Sequence, residues 1–171
     1  MSPIDVLGFN HVDLTVNDVP RSEAFYAKVL AELGFRRAPQ GEGGPVFSNG
    51  ITSIAIRPPS AAQRGKAFDR YRVGLHHLAL RAASRGDVDR FHAWLVRQGL
   101  RVLDPPAEYP SYGEDYYAVF FEDPDGFKLE LVHYPWGYWK QVLTGGSDAR
   151  PRYPRGPARN GAVNTGCGSV W

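Results

Sequence analysis

Apolar and polar residues alternate over residues 7–16. Val12, Leu14 and Val16 share one side, and His11, Asp13 and Thr15 share the other. A period of two predicts a strand. The period then lengthens. Ala24, Phe25, Val29, Leu30 and Leu33 form one helical stripe, so a helix is predicted over 19–33. Asn17-Asp18 can cap it, Pro20 is tolerated in its first turn, and Gly34 ends it. Short strands are predicted at 35–38, 45–48 and 51–57. They are separated by Gly41-Glu42-Gly43-Gly44 and Ser48-Asn49-Gly50, and Pro58-Pro59 closes the unit.

The same order then returns. A strand is predicted over 74–81, and a helix over 86–98 opened by a capping box of Ser84 and Asp87. Strands follow at 100–104, 116–122 and 127–133, with Asp123-Pro124-Asp125-Gly126 as a tight turn between the last two. His77 follows His11 by 66 residues, and Gly99 follows Gly34 by 65. A near-constant offset marks a duplicated unit. The predicted fold class is therefore α+β, with two βαβββ modules. Module one covers 5–59, a polar linker 60–73, and module two 74–135. The second module is longer mainly through the Pro- and Tyr-rich stretch Asp104–Asp115.

Parity places the candidate chemistry. His11, His77 and Glu130 each lie on the strand face opposite the apolar positions. If the sheet curls, those faces line a metal-binding cup in which the three converge. Two imidazoles and one carboxylate suit a divalent first-row metal with open positions for substrate, and zinc can use the same ligands. By the same parity His76 is expected to point away from His77, and His133 away from Glu130.

Composition narrows the partners. Of the 171 residues, 43% are hydrophobic and the net charge is +2. The basic surplus sits in the last segment, where Lys140, Arg150, Arg152, Arg155 and Arg159 face only Asp148. The body offers no nucleic-acid face. Cys167 alone cannot form an internal disulfide and fits a reducing compartment. No run approaches the ~18 apolar residues of a membrane span, and the start of the chain carries no signal-peptide pattern. The expectation is a cytoplasmic protein with a small-molecule substrate and neither a nucleic-acid nor a membrane partner. Trp136, Tyr138 and Trp139 predict an aromatic arm over 136–144. The Gly-, Pro-, Arg- and Ser-rich stretch 145–171 predicts a disordered basic tail.

The segments Asn10-His11-Val12-Asp13-Leu14-Thr15-Val16, His77-Leu78-Ala79-Leu80 and Asp123-Pro124-Asp125-Gly126-Phe127-Lys128-Leu129-Glu130-Leu131 resemble the vicinal oxygen chelate superfamily. Its members include glyoxalase I, fosfomycin-resistance transferases, extradiol dioxygenases and bleomycin-binding proteins. The resemblance covers about residues 5–135. It implies paired modules around one divalent ion (Fe, Mn, Ni or Zn), a substrate that chelates it through adjacent oxygens, Lewis-acid chemistry and a homodimer. It also implies that Glu130 can double as base.

The subfamilies fit unequally. Glyoxalase I calls for a fourth ligand on the last strand of module one. Aligning Asn49-Gly50 with Asp125-Gly126 puts Ile54 opposite Glu130, and 50–57 holds no Glu, Gln, His or Asp. The dioxygenases and the fosfomycin transferases have Tyr where this chain has Phe120. Tyr112, Tyr116 or Tyr117 are the candidates to replace it. The transferases also use a nearby Lys, absent from 67–127. Asp13 is a candidate base beside His11, and Thr15 a substrate contact. Arg57 and Arg81 can steer an anion, and the tyrosines of 109–117 can form a wall or lid. The reading is a metal-dependent glyoxalase-like enzyme of lyase or isomerase type. His11, His77 and Glu130 are its ligands. Glu130, Asp13 and Tyr117 are its catalytic candidates, and Thr15, Arg81 and Tyr112 its substrate contacts. The alternatives are an Fe(II) extradiol-type dioxygenase and a non-catalytic binding protein.

Overall fold

The computed structural model describes residues 8–39 and 43–135. The expectations for the arm at 136–144 and the tail at 145–171 lie outside them. Module one runs β1 (His11–Thr15), α1 (Val19–Glu32), β2 (Arg36–Arg37), β3 (Val46–Ser48) and β4 (Ser53–Arg57). Module two runs β5 (Leu78–Arg81), α2 (Arg85–Arg97), β6 (Val102–Glu108), β7 (Tyr117–Glu122) and β8 (Lys128–His133). Both are βαβββ, and the linker adds one 3-10 turn at Ala61–Gln63.

The helices start and stop where the local chemistry requires. Asp18 accepts a bond from the Arg21 N–H at 3.0 Å, which satisfies one of the first-turn donors of α1. Ser84 does the same for Asp87 N–H in α2, at 3.2 Å. Gly34 and Gly99 follow the two helix ends with φ of 83° and 65°, the left-handed region where a Cβ is penalised.

In each module the first strand pairs in parallel with the last, and the remaining strands add antiparallel. The orders are β1-β4-β3-β2 and β5-β8-β7-β6. The two sheets do not close into a barrel. One apolar core joins them: Leu14, Ile54, Ile56, Leu30 and Val29 from module one with Phe91, Leu95, Val119, Phe121 and Leu131 from module two. Burying each such side chain contributes roughly 1.5–3 kcal/mol.

The Asp123–Gly126 turn also ties the modules together. Asp123 accepts the Phe127 and Asp125 N–H groups at 2.8 and 2.9 Å and the Tyr26 hydroxyl of α1 at 3.0 Å. Asp125 accepts Asn17 N–H at 2.6 Å and pairs with Arg21.

Three local details differ from the sequence reading. Regular strand begins at Leu78, not at 74, so His76 and His77 precede the ladder. The strand β6 continues through Pro105-Pro106 to Glu108. It tolerates two residues without N–H donors because it is an edge strand with irregular register against β7. The register also corrects the equivalence of Ile54 and Glu130. Val12 pairs with Ile54 as Leu78 pairs with Leu129, so Ala55, not Ile54, stands where Glu130 stands in module two. The β3–β4 turn spans 49–52 and the β7–β8 turn 123–127, one residue longer. Among the described residues no helix is long and apolar enough to cross a membrane.

Candidate metal centre

Strand alternation sends Val119, Phe121, Leu129 and Leu131 into the common core. It sends Ala118, Phe120, Lys128, Glu130 and Val132 to the other face of the second sheet. That face borders a cavity of about 610 Å³ lined by His76, His77, Arg81, Tyr112, Tyr116 and Glu130, among others. Tyrosines cover it: Tyr112 lies against Tyr116 and Tyr116 against Tyr134, with ring centroids 5.2 and 5.0 Å apart. Gly113 makes room for this cover. A Cβ there would stand 2.2 Å from the Tyr134 hydroxyl.

Glu130 is the centre of the site, with 1% of its surface exposed. Its Oε1 accepts the Tyr116 hydroxyl at 2.5 Å, and its Oε2 lies 3.2 Å from His77 Nε2. The two histidines meet through their other nitrogens, with Nδ1 atoms 2.7 Å apart. One of these must carry the proton. Facing a carboxylate oxygen at 3.2 Å, His77 Nε2 is the donor, so His76 Nδ1–H donates to His77 Nδ1; to offer Nε2 to a cation, His77 carries its proton on Nδ1 and donates to His76 instead. Burial, then the charge of Glu130, pushes the Tyr116 hydroxyl far above the ordinary tyrosine range, so it remains a donor. Burial likewise raises Tyr109 to about 12.

Lys128 stands two residues before Glu130 on the same face and is only 5% exposed. Its ammonium sits 3.8 Å from the Phe120 ring centroid. Burial pulls its pKa below the ordinary lysine range, and the Glu130 charge opposes that shift. The sequence analysis gave Lys128 no role. Its parity with Glu130 was the available signal.

The remaining candidates divide. Arg81 and Tyr112 line the cavity with Glu130. His76, expected to face away, lines it too, because it precedes the regular strand whose alternation that expectation assumed. Tyr117 does not. It begins β7 with the parity of Val119 and Phe121, bonds Asp89 of α2 at 2.7 Å and lies under the Arg85 guanidinium. Its place beside Glu130 is taken by Tyr116. Asp13 is held by Arg57 at 2.9 Å on the first sheet. With Thr15 it borders a second hollow of about 360 Å³ against the linker. His11 is exposed on the same sheet and bonds Asn10 at 3.0 Å. Within one chain His11 therefore does not meet His77 and Glu130, and no group of three metal-ligating side chains occurs among the described residues.

A sequence profile of the Glyoxalase/Bleomycin resistance protein/Dioxygenase superfamily matches residues 8–131. The chain belongs to this superfamily. It is 34% identical over 123 residues to YqjT of Bacillus subtilis, an uncharacterised protein, covering 72% of this chain and 96% of the relative. It is 27% identical over 135 residues to Glyoxylase I 4 of Arabidopsis thaliana, covering 77% and 74%. A solved glyoxylase/bleomycin resistance protein/dioxygenase domain from Frankia sp. superposes with a TM-score of 0.63 at 26% identity, covering 78% of this chain and 96% of that one.

The donor chemistry fits a divalent cation in part. His77 Nε2 and Glu130 Oε2 are adjacent on a cavity wall, and each is oriented from behind, by His76 and Tyr116 respectively. Two donors of complementary type are present, and further donors have to come from outside this group.

Proposed function

We propose that this chain is a metal-dependent glyoxalase-like enzyme whose site is completed by a second copy. His77 and Glu130 hold the ion from one chain, and His11 of the other supplies the third donor. The pairing of His77 Nε2 and Glu130 Oε2 at 3.2 Å beside a cavity of substrate size carries this reading. The first sheet supports the dimer. Its His11 face is open, and Phe9 and Ile51 near its end are 90% and 84% exposed. Phe9 and Ile51 precede the paired strands β1 and β4, and an exposed apolar patch of that kind is where a partner docks.

A bound divalent ion would supply Lewis acidity toward adjacent oxygens of a small substrate. The chain's own residues do the rest. His76 can accept from His77 Nδ1–H, which frees His77 Nε2 for the ion. Tyr116 keeps its proton and holds one oxygen of Glu130. The tyrosine wall excludes water from the carboxylate. Glu130 is the group placed to take a proton from the carbon next to a substrate carbonyl, which is lyase or isomerase chemistry.

A second reading is Fe(II) extradiol-type oxygenation. The Tyr116–Glu130 hydrogen bond favours it, because it sets a phenol beside the donor pair where Phe120 cannot. One experiment separates the two. Protein stripped by a chelator is reloaded with Fe(II), Mn(II), Ni(II) or Zn(II) and incubated in D₂O with a panel of small hydroxycarbonyl compounds and catechols. Metal-dependent entry of deuterium beside the carbonyl supports the first reading. Oxygen uptake with catechol and Fe(II) alone replaces it with the second. Neither signal with any ion overturns the enzyme reading.

A further inference from the structure

Lys128 is a buried cation that forms no direct ion pair among the described residues; Glu130 and Asp104 attract it without touching it. Glu130, two residues on, turns its oxygens to Tyr116 and His77. The ammonium's one recorded contact among the described residues is the face of Phe120. A ring face returns only part of the lost hydration of an ammonium. An ammonium is costly to keep buried and charged unless an anion pairs it. Module one shows that the fold does not require it, since Ser53 occupies the equivalent register position there. Arg81, from the neighbouring strand β5, lines the same cavity.

We propose that Lys128, together with Arg81, forms an oxyanion-binding subsite in this cavity, so that the substrate carries a carboxylate or phosphonate group on an apolar body. The ammonium binds the anion, and the faces of Phe120, Tyr112 and Tyr116 take the apolar part. This deepens the proposed function and rests on its reading of the cavity as the substrate pocket.

The test is calorimetric titration of the full-length protein, metal-free and metal-loaded, with benzoate, phenylphosphonate and neutral benzamide. Wild type is compared with Lys128→Met, Lys128→Arg and Arg81→Gln. The expected result is at least a tenfold preference for an anion over benzamide in the metal-free protein. Lys128→Met abolishes it and Lys128→Arg retains it. Tighter benzoate identifies the natural group as a carboxylate, and tighter phenylphosphonate as a phosphonate. No preference in wild type, or an undiminished preference in Lys128→Met, overturns the subsite. If Lys128→Met does not fold by circular dichroism, the exposed Arg81→Gln decides: a preference lowered several-fold supports the subsite and an unchanged one overturns it. Metal content is measured in parallel. A Lys128-dependent preference in a protein that takes up no metal keeps the subsite and removes the metal reading. Metal uptake without any anion preference does the reverse.

Discussion

Tyr116 donates its hydroxyl to Glu130 Oε1 at 2.5 Å across the cavity face of the second sheet. The bond fixes one oxygen of a buried carboxylate and leaves the other toward His77. A hydrogen bond to a charged group contributes about 1.5–3 kcal/mol. Tyr116→Phe should therefore lower unfolding free energy by about that amount in urea melts. It should also weaken metal retention, because Glu130 becomes free to rotate. Tyr117→Phe, which loses only a surface bond to Asp89, should change stability by less than about 1 kcal/mol and leave metal retention intact.

Stability should fall at high pH. Burial raises Tyr26, Tyr109, Tyr112 and Tyr116 above the ordinary tyrosine pKa, Tyr109 to about 12. The folded chain holds these protons after the unfolded chain has released them. Their contribution is complete below about pH 10 and is lost as pH rises from there through the folded values. Urea melts at pH 9, 10.5 and 11.5 should show a progressive decline, smaller in Tyr116→Phe.

Gly113 should not tolerate a side chain. Its φ is 152°, and a Cβ would meet the Tyr134 hydroxyl at 2.2 Å and the ring at 2.9 Å. Gly113→Ala should cost roughly 1–3 kcal/mol, from strain and displacement of the tyrosine cover. Adding Tyr134→Phe should recover part of this in thermal melts, since it removes the nearest atom and leaves the backbone strain.

The link between modules should be measurable through Tyr26 and Asp123. Tyr26→Phe leaves two backbone bonds to Asp123 in place and should cost about 1–2 kcal/mol. Asp123→Ala removes all three and should cost about 3 kcal/mol or more, by leaving buried donors unpaired. A double-mutant cycle should return a coupling near 1 kcal/mol.

The modules, both helices and the inward face of β8 were legible because periodicity, caps and the Asp-Gly turn all act locally. Glu130 was legible by parity alone. What failed did so at strand ends and turns, where one residue inverts parity. His76 was assigned to the wrong face because the ladder starts at Leu78. Tyr116 and Tyr117 could not be told apart until the start of β7 was known. Ile54 was matched to Glu130 because the two turns differ by one residue. The separation of His11 from His77 was not legible at all. It depends on how the modules pack through Tyr26, Asp123 and the shared core, and strand patterns carry no information about that.

The most direct test of the account is metal content by elemental mass spectrometry on untagged protein, for wild type, His77→Ala, Glu130→Ala and His11→Ala. About one divalent ion per chain in wild type is predicted, lost in all three variants. An equimolar mixture of His11→Ala and His77→Ala, allowed to exchange subunits, should regain some metal through the one intact site each mixed dimer contains. A wild-type protein that takes up no Fe, Mn, Ni or Zn after reloading contradicts the metal centre. Full retention in His11→Ala contradicts its completion by a second copy.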